Sequence, residues 1–315
     1  MKQITRMAVL ALFLPLLVSA QTDLNKSFSG IKKIKISTAS GDCKISKNSG
    51  SAVTVNLKHT YEAGRYTPLI EQQGELLTIK EEFQSGNNNG QSTWTLTVPD
   101  EVEIALTSGS GDIDVADLKS DLTITTGSGN LDFRNIKGKL KGTTGSGDVA
   151  FDHFDGTLSA NTGSGNMKLA NSKGEVSLSC GSGDLSLTDS QVAIKANTGS
   201  GNIEGRNITF NGKSSFNTGS GDAEIILSAT PKHDIAIGSG SGNAVLDFNG
   251  NEIKGDIVMR AGKHQGEIIA PFDFDETEEI NQGGNSTMIQ KSVVKANGSN
   301  RINISTGSGD AVIKK

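Results

Sequence analysis

The sequence predicts an all-β fold: a right-handed parallel β-helix, or β-solenoid, with coils of about 18 residues and irregular capping strands at both ends. The first observation behind this is a phrase, Gly-Ser-Gly followed by Asp or Asn, that recurs along the chain. Its copies start at Gly109, Gly127, Gly145, Gly163, Gly181, Gly199, Gly219, Gly240 and Gly307. The first five intervals are 18 residues long and the next two are 20 and 21. A fixed period of this length is typical of stacked structural repeats.

The second observation is a pair of apolar-x-apolar triplets in each period. One follows the Asp or Asn, and the other precedes the next Gly-Ser-Gly. Alternation of this kind is typical of a strand with one buried face, so each period holds two short strands joined by two turns. The first triplets include Ile113 and Val115, Leu131 and Phe133, and Val149 and Phe151; the second include Leu122 and Ile124, Val176 and Leu178, and Ile194 and Ala196.

Stacked coils of this size pair their strands in parallel, and parallel crossovers are almost always right-handed. Equivalent apolar side chains then form columns along the stack, and several coils are needed together to make a core. We therefore expect Leu131, Val149, Met167 and Leu185 to lie in one column.

The Gly-Ser-Gly phrase predicts the chemistry of one corner of each coil. Its glycines permit φ > 0, and the Asp or Asn can accept a hydrogen bond from nearby backbone N–H groups as an Asx turn. The preceding residue is usually Thr, which predicts a column of hydroxyl groups at the corner. The predicted structural turn ladder consists of Asp112, Asn130, Asp148, Asn166, Asp184, Asn202, Asp222, Asn243 and Asp310.

Aspartate and asparagine alternate strictly from Asp112 to Asn243 in this ladder. Two carboxylates one strand spacing apart repel by about 0.9 kcal/mol in water, so the alternation is expected to serve stability. A row of Ca²⁺ sites is the functional alternative, but Ca²⁺-binding rolls carry a denser glycine-aspartate phrase at both corners.

The first 20 residues have the pattern of a secretion signal. Lys2 and Arg6 form a basic start, Met7 to Val18 an apolar core, and Val18-Ser19-Ala20 a small-residue cleavage site. Because this segment is too short to cross a membrane, we expect an exported chain in the periplasm, on the outer surface or secreted. The predicted organisation is a signal peptide at 1–20 and one continuous domain at 21–315. That domain comprises a first coil with cap strands (21–108), regular repeats (109–249), and irregular coils with a C-terminal cap (250–315).

Removing the signal takes the net charge from −5 to −7, since two cations leave. This acidity disfavours nucleic acid or an anionic membrane as a partner. The two cysteines, Cys43 and Cys180, fall in distant coils, too far apart for a disulfide, so we expect free thiols with Cys180 in place of a corner Thr.

The end segments contain less regular features. Trp94, Tyr61 and Tyr66 precede the regular repeats, where we expect them to pack in a cap, although exposed rings could also bind a sugar or a peptide. The acidic run at 273–279 is interpreted as a solvated loop.

The passage Trp94 to Asp112 (WTLTVPDEVEIALTSGSGD), the coils TTGSGN, TTGSGD and NTGSGN, and the closing INISTGSGDAVIKK carry a resemblance. They resemble the bacterial putative adhesin family of Gly-Ser-Gly-Asp/Asn β-strand repeat proteins, and more weakly the head-GIN putative auto-transporter adhesins. The resemblance implies a β-helical envelope or surface protein and supplies no functional residues.

No catalytic constellation, cofactor motif or metal-ligand spacing is apparent in the sequence; His59, His153, His233 and His264 are scattered. We therefore expect a non-enzymatic, monomeric adhesin or structural module of the cell envelope, binding an unknown protein or glycan through its flat strand faces. One face would present the outward row Thr125, Thr143, Asn161, Ser179, Asn197 and Asn217. A carbohydrate-active β-helix enzyme and a Ca²⁺-binding or ice-binding β-roll are the alternatives.

Overall fold

The computed structural model describes residues 22–85, 89–281, 287–296 and 298–315, so the predicted signal peptide lies outside the described residues. All regular secondary structure in this part of the chain is β-strand. The strands are β1 Thr22–Ser29, β2 Lys33–Thr38, β3 Asp42–Lys47, β4 Ala52–His59, β5 Tyr66–Gln73, β6 Leu76–Phe83, β7 Ser92–Val98, β8 Glu103–Ser108, β9 Ile113–Ala116, β10 Leu122–Thr126, β11 Leu131–Arg134, β12 Lys137–Thr144, β13 Val149–Asp152, β14 Asp155–Thr162, β15 Met167–Ala170, β16 Lys173–Cys180, β17 Leu185–Thr188, β18 Gln191–Thr198, β19 Ile203–Phe210, β20 Ser214–Thr218, β21 Ala223–Leu227, β22 Ile235–Ser239, β23 Ala244–Asp247, β24 Gly255–Gly262, β25 Ile268–Ile269, β26 Glu276–Asn281, β27 Thr287–Lys295, β28 Arg301–Thr306 and β29 Ala311–Lys314.

The strands form two sheets, here called sheet A and sheet B. Sheet A runs in the order β1, β4, β7, β3, β9, β11, β13, β15, β17, β19, β21, β23, β29, β25. Sheet B runs β5, β6, β2, β8, β10, β12, β14, β16, β18, β20, β22, β28, β24, β27, β26. Each regular coil contributes one strand to each sheet.

Successive coils pair in parallel and in register, which gives the solenoid its columns. Leu131 pairs with Val149, Val149 with Met167, and Met167 with Leu185. The predicted column is therefore confirmed, and all four of these side chains are buried.

Large and small side chains complement each other inside the stack. The rings of Phe133 and Phe151 stack in adjacent coils with centroids 5.2 Å apart. On sheet B, Gly142 occupies an inward position where a Cβ atom would lie 3.8 Å from the Phe133 ring. The phenylalanine rings of sheet A thus occupy the space that the small Gly142 leaves on sheet B, as close packing requires.

At both ends the order of the coils in space differs from their order in the sequence. The first coil, β2 and β3, lies between the cap strands β6 and β7 and the later strands β8 and β9. The last coil, β28 and β29, likewise lies between β22 and β23 on one side and β24 and β25 on the other. At each end, therefore, the cap strands form the outermost layer of the stack, and a regular coil lies between them and the remaining coils.

The caps change the pairing from parallel to antiparallel. β1, β4 and β7 pair antiparallel at one end of sheet A, β5 and β6 do so on sheet B, and β24, β27 and β26 do so at the other end. The acidic run differs from its predicted loop structure, because Glu276–Asn281 forms the edge strand β26. Its exposed carboxylates discourage another strand from pairing with this edge.

Cys43 and Cys180 are both free thiols and both buried. Among the described residues, no helix is long and apolar enough to span a membrane.

Candidate interaction surfaces

The predicted turn ladder lies along one exposed corner of the solenoid. Each Asp or Asn side chain accepts a hydrogen bond from the backbone N–H of the equivalent residue in the next coil; for example, Asn130 N donates to Asp112 Oδ1 and Asp148 N donates to Asn130 Oδ1. An Asx turn within a single coil is therefore the wrong model for these side chains. The contacts run on through Asn166, Asp184, Asn202, Asp222, Asn243 and Asp310.

Within the regular coils, the hydrogen-bond lengths in this ladder follow the charge of the acceptor; beyond them, the carboxylates of Asp42 and Asp310 accept at 3.0 and 2.9 Å. From Asp112 to Asp222, the N–H···O distance is 2.7 Å wherever a carboxylate accepts and 2.9 Å wherever an asparagine amide accepts. Charge-assisted hydrogen bonds are shorter and stronger than neutral ones. The alternation also continues in space across the long C-terminal insertion, because Asp310 stacks on Asn243.

The buried Thr column supplies the hydrogen bonds inside each turn. Thr144 Oγ1 accepts from Gly147 N at 3.1 Å and donates to Gly129 O of the preceding coil at 3.0 Å. Cys180 makes the same two contacts through Sγ, with Gly183 N and Gly165 O, and so takes the place of a corner Thr as predicted.

A second corner carries another periodic column, which the sequence reasoning missed. Every residue of this second column adopts positive φ, between 50° and 61°, a conformation that Asn and Asp tolerate better than most residues. Asn135 Nδ2 donates to Asp117 Oδ1 in the neighbouring coil, and Asn207 Nδ2 donates to Asp189 Oδ1. The signal was available, since the column recurs every 18 residues at Asp117, Asn135, His153, Asn171, Asp189 and Asn207.

Neither corner brings together a cluster of metal-ligating side chains. Across the described ranges, no group of three or more His, Cys, Asp or Glu side chains is arranged to hold a metal ion. At the first corner, the Oδ1 atoms of the Asp and Asn side chains accept hydrogen bonds from backbone N–H groups of the next coil.

The outer face of sheet A is charged, and much of its charge is locally paired. Arg134 bridges two carboxylates, Asp114 at 2.7 Å and Asp132. Lys314 pairs with Glu224 at 2.8 Å. The hydrogen bond from Arg134 to Asp114 is the largest cause of the raised pKa of this guanidinium.

The outer face of sheet B carries the hydroxyl–amide row. The sequence prediction for this row is confirmed, because its members pair in register from coil to coil: Thr125 with Thr143, Thr143 with Asn161, and onward to Asn217. Ser37 and Thr107 extend the row at one end, and Gly238 and Ser305 at the other. The complete hydroxyl–amide row consists of Ser37, Thr107, Thr125, Thr143, Asn161, Ser179, Asn197, Asn217, Gly238 and Ser305.

The N-terminal aromatic residues are buried in the cap, with Trp94 fully buried and Tyr61 and Tyr66 each 6% exposed. They surround the Glu81 carboxylate, which accepts hydrogen bonds from Trp94 Nε1 at 2.9 Å, from Tyr66 OH at 3.1 Å and from Ser92 Oγ. Burial, followed by the charge of Glu81, raises the pKa of Tyr66. These rings pack as a cap and offer no exposed platform for a sugar.

Burial raises the pKa of the nearby Cys43 thiol, and the charge of Glu81 adds to the effect. Because the thiolate is the reactive form of cysteine, we expect this buried thiol to react slowly with electrophiles.

The C-terminal cap holds a second aromatic pair on the side of β27. Phe272 and Phe274 meet edge to face, with centroids 5.3 Å apart, and Lys295 and Lys291 lie over these rings at 4.8 and 5.6 Å from their centroids. The loop before β26 is thereby held against the cap.

The fold and these surfaces define a class: a capped β-solenoid repeat protein with registered polar rows on its outer faces. The chain belongs to the Toastrack DUF4097 family, whose model matches residues 31–270.

Several solved structures are similar to this chain at low identity. A "putative cell adhesion protein" from Clostridium sporogenes is 17% identical, with a TM-score of 0.24, and the match covers 94% of this chain and 99% of the other. A "putative lipid binding protein" from Parabacteroides distasonis is 13% identical, with a TM-score of 0.45 and coverage of 94% and 98%. A "putative adhesin" from Parabacteroides merdae is 12% identical, with a TM-score of 0.29 and coverage of 70% and 90%. No curated protein matches this chain.

Proposed function

We propose that this chain is an exported, non-enzymatic β-solenoid that acts as an adhesin or as an interaction module of the cell envelope. It would bind a surface protein or glycan through the flat outer faces of its strands. The observation that carries the proposal is the registry of polar side chains across successive coils, most clearly the hydroxyl–amide row.

Registered rows suit a repetitive or extended partner. Parallel strands lie about 4.8 Å apart, so equivalent side chains present hydrogen-bonding groups at that interval along the stack. Thr125 and Asn217 are exposed, and the members between them are half-buried. A partner can therefore make the same contact several times without a deep pocket.

The proposal includes features of the whole protein that follow from the sequence. Residues 1–20 would direct export, and the coils would wind right-handed, as parallel crossovers do. We further propose that the chain works as a monomer, since antiparallel caps cover both ends of the stack.

A binding screen tests the role. The chain from residue 21 onward is labelled and applied to a glycan array and to intact bacterial and host cells. We expect saturable binding to at least one surface or glycan class, with no release of sugar from bound polysaccharide. Release of reducing ends would overturn the non-enzymatic assignment, and absence of binding to every surface would overturn the adhesive role.

Fractionation of cells tests the export step. The full chain should leave the cytoplasm, and a variant lacking residues 2–20 should remain there. Equal distribution of the two proteins would contradict export through this segment.

A further inference from the structure

Beside the hydroxyl–amide row, the outer face of sheet B carries a second row that we call the lysine row. Its members also pair in register from coil to coil. The lysine row consists of Lys35, Ala105, Thr123, Lys141, Ser159, Ser177, Lys195, Ser215, Ala236 and Asn303.

The charge carried by these two rows is of one sign. Within the lysine row and the hydroxyl–amide row, the charged residues are Lys35, Lys141 and Lys195, and there is no carboxylate. All three lysines are exposed, and none forms an ion pair with another residue in the described part of the chain. The protein as a whole has a net charge of −5, so these two rows are opposite to it in sign.

The three lysines are evenly spaced. Lys35 and Lys141 are separated by three coil steps, and so are Lys141 and Lys195. At about 4.8 Å per step, the ammonium groups recur about every 14 Å along a straight face. The adjoining column of the same face carries both signs, with the carboxylates Glu103 and Glu175 and the lysines Lys33 and Lys139.

The surface between the lysines is shallow and lined by small side chains. A depression of about 520 Å³ crosses four neighbouring coils, and Ser159, Ser177, Lys195 and Ser215 of the lysine row lie in its lining together with Glu175 and Lys213. A chain lying along the stack can therefore reach both the lysines and the hydroxyl and amide groups of the neighbouring row.

We propose that this face of sheet B binds an extended acidic polysaccharide, with Lys35, Lys141 and Lys195 pairing with its carboxylates. The inference rests on the proposed function and names its ligand class and its surface. Charge complementarity selects a polyanion, and the hydroxyl–amide row supplies hydrogen bonds for the uncharged sugar hydroxyls.

The same features disfavour nucleic acid as the occupant. Duplex DNA carries a charge about every 1.7 Å, far denser than a lysine every 14 Å or so. The two rows also contain no aromatic side chain on which bases could stack.

The test compares two double variants of the chain from residue 21 onward. Lys141→Gln with Lys195→Gln removes two charges from the sheet B face. Lys44→Gln with Lys168→Gln removes two exposed lysines from the outer face of sheet A and is the matched control. Binding to hyaluronate, to uncharged dextran and to a DNA duplex is measured by calorimetry at low and at physiological salt.

We expect hyaluronate to bind and dextran to bind more weakly, with affinity falling as salt rises. The sheet B variant should bind hyaluronate about fivefold more weakly and depend less on salt, since exposed charge pairs contribute modestly each. The control should bind as the unaltered chain does.

Equal loss in both variants, or loss in neither, would overturn the assignment to this face. Stronger binding to dextran or to DNA would overturn the ligand class. In each of these cases, binding to cells or to the glycan array would still support the proposed function, whereas absence of binding in all assays would overturn both. Circular dichroism melts of both variants establish that each is folded.

Discussion

The alternating Asp and Asn column makes a quantitative prediction about stability. Replacing Asn130, Asn166 and Asn202 with Asp puts a carboxylate in every coil from Asp112 to Asp222. Each replacement keeps the oxygen that accepts the next N–H group, so the hydrogen-bond ladder is preserved. What changes is the charge spacing.

Each of the three new carboxylates has a carboxylate in the coil on either side, which creates six neighbouring pairs. At about 4.8 Å in water, one pair repels by about 0.9 kcal/mol, so the unscreened total is about 5 kcal/mol. A Debye length of about 8 Å at physiological salt reduces this to about 3 kcal/mol. The stronger charge-assisted hydrogen bonds offset part of that cost.

The assay is thermal unfolding followed by circular dichroism at neutral pH, in about 10 mM and about 150 mM salt. We expect the triple variant to melt several degrees lower than the unaltered chain, at roughly 2 °C for each kcal/mol, with the larger loss at low salt. A matched control is Asn161→Asp, Asn197→Asp and Asn303→Asp, which adds the same charge to sheet B, where neighbours in the same row are uncharged. Equal melting losses in the two triple variants, or no salt dependence, would refute repulsion within the column as the reason for the alternation.

Three further predictions concern single side chains and are checked by thermal melts. Gly147→Ala should lower the melting temperature sharply or prevent folding, because its Cβ would overlap the Gly129 carbonyl oxygen. In Gly142→Ala the nearest contact of the new Cβ is at 3.6 Å, so this variant should lose less than about 1 kcal/mol of stability. Similar losses in the two variants would contradict this packing. Cys180→Thr should be neutral or stabilising because it keeps both corner hydrogen bonds. Cys180→Val removes them and should cost about 1 to 3 kcal/mol of stability. An unchanged melting temperature in the valine variant would show that these hydrogen bonds contribute nothing. Burial lowers the pKa of His59, whose Nδ1 has no hydrogen-bond partner. The unfolded chain then binds more protons than the folded one below about pH 6.5, so stability should fall as the pH drops through that value. His59→Phe should lose this part of the pH dependence. An unchanged pH profile of stability in this variant would exclude His59 as its source.

Much of the regular solenoid follows from local pattern. The alternation in stretches such as Leu131 to Phe133 defines strands, and the constant 18-residue interval brings equivalent residues into register. The hydroxyl–amide row follows from the same arithmetic, because a fixed period places Thr125 beside Thr143 once the strands pair.

The hydrogen-bond partners at the corners could not be read from the sequence. An aspartate after Gly-Ser-Gly can accept from its own turn or from the next coil, and the choice depends on how closely the coils approach. Asp112 accepts from Asn130, 18 residues away, because the stack brings that N–H within 2.7 Å. The cluster around the half-buried Glu81 carboxylate has the same origin, since Tyr66, Ser92 and Trp94 come together only in the folded cap.

The sequence by itself determined the strands, their period, the inward columns and the outward rows, because each is fixed by side-chain alternation repeated at constant spacing. Only the tertiary structure decided how the two ends of the solenoid are closed. Strand β2 pairs with β8, some 70 residues later, and β28 lies between β22 and β24. Such pairings depend on which strand edge is left open when the rest of the stack has formed. No local pattern encodes that competition. The even spacing of Lys35, Lys141 and Lys195 along sheet B became visible only when the first coil was placed beside Ala105.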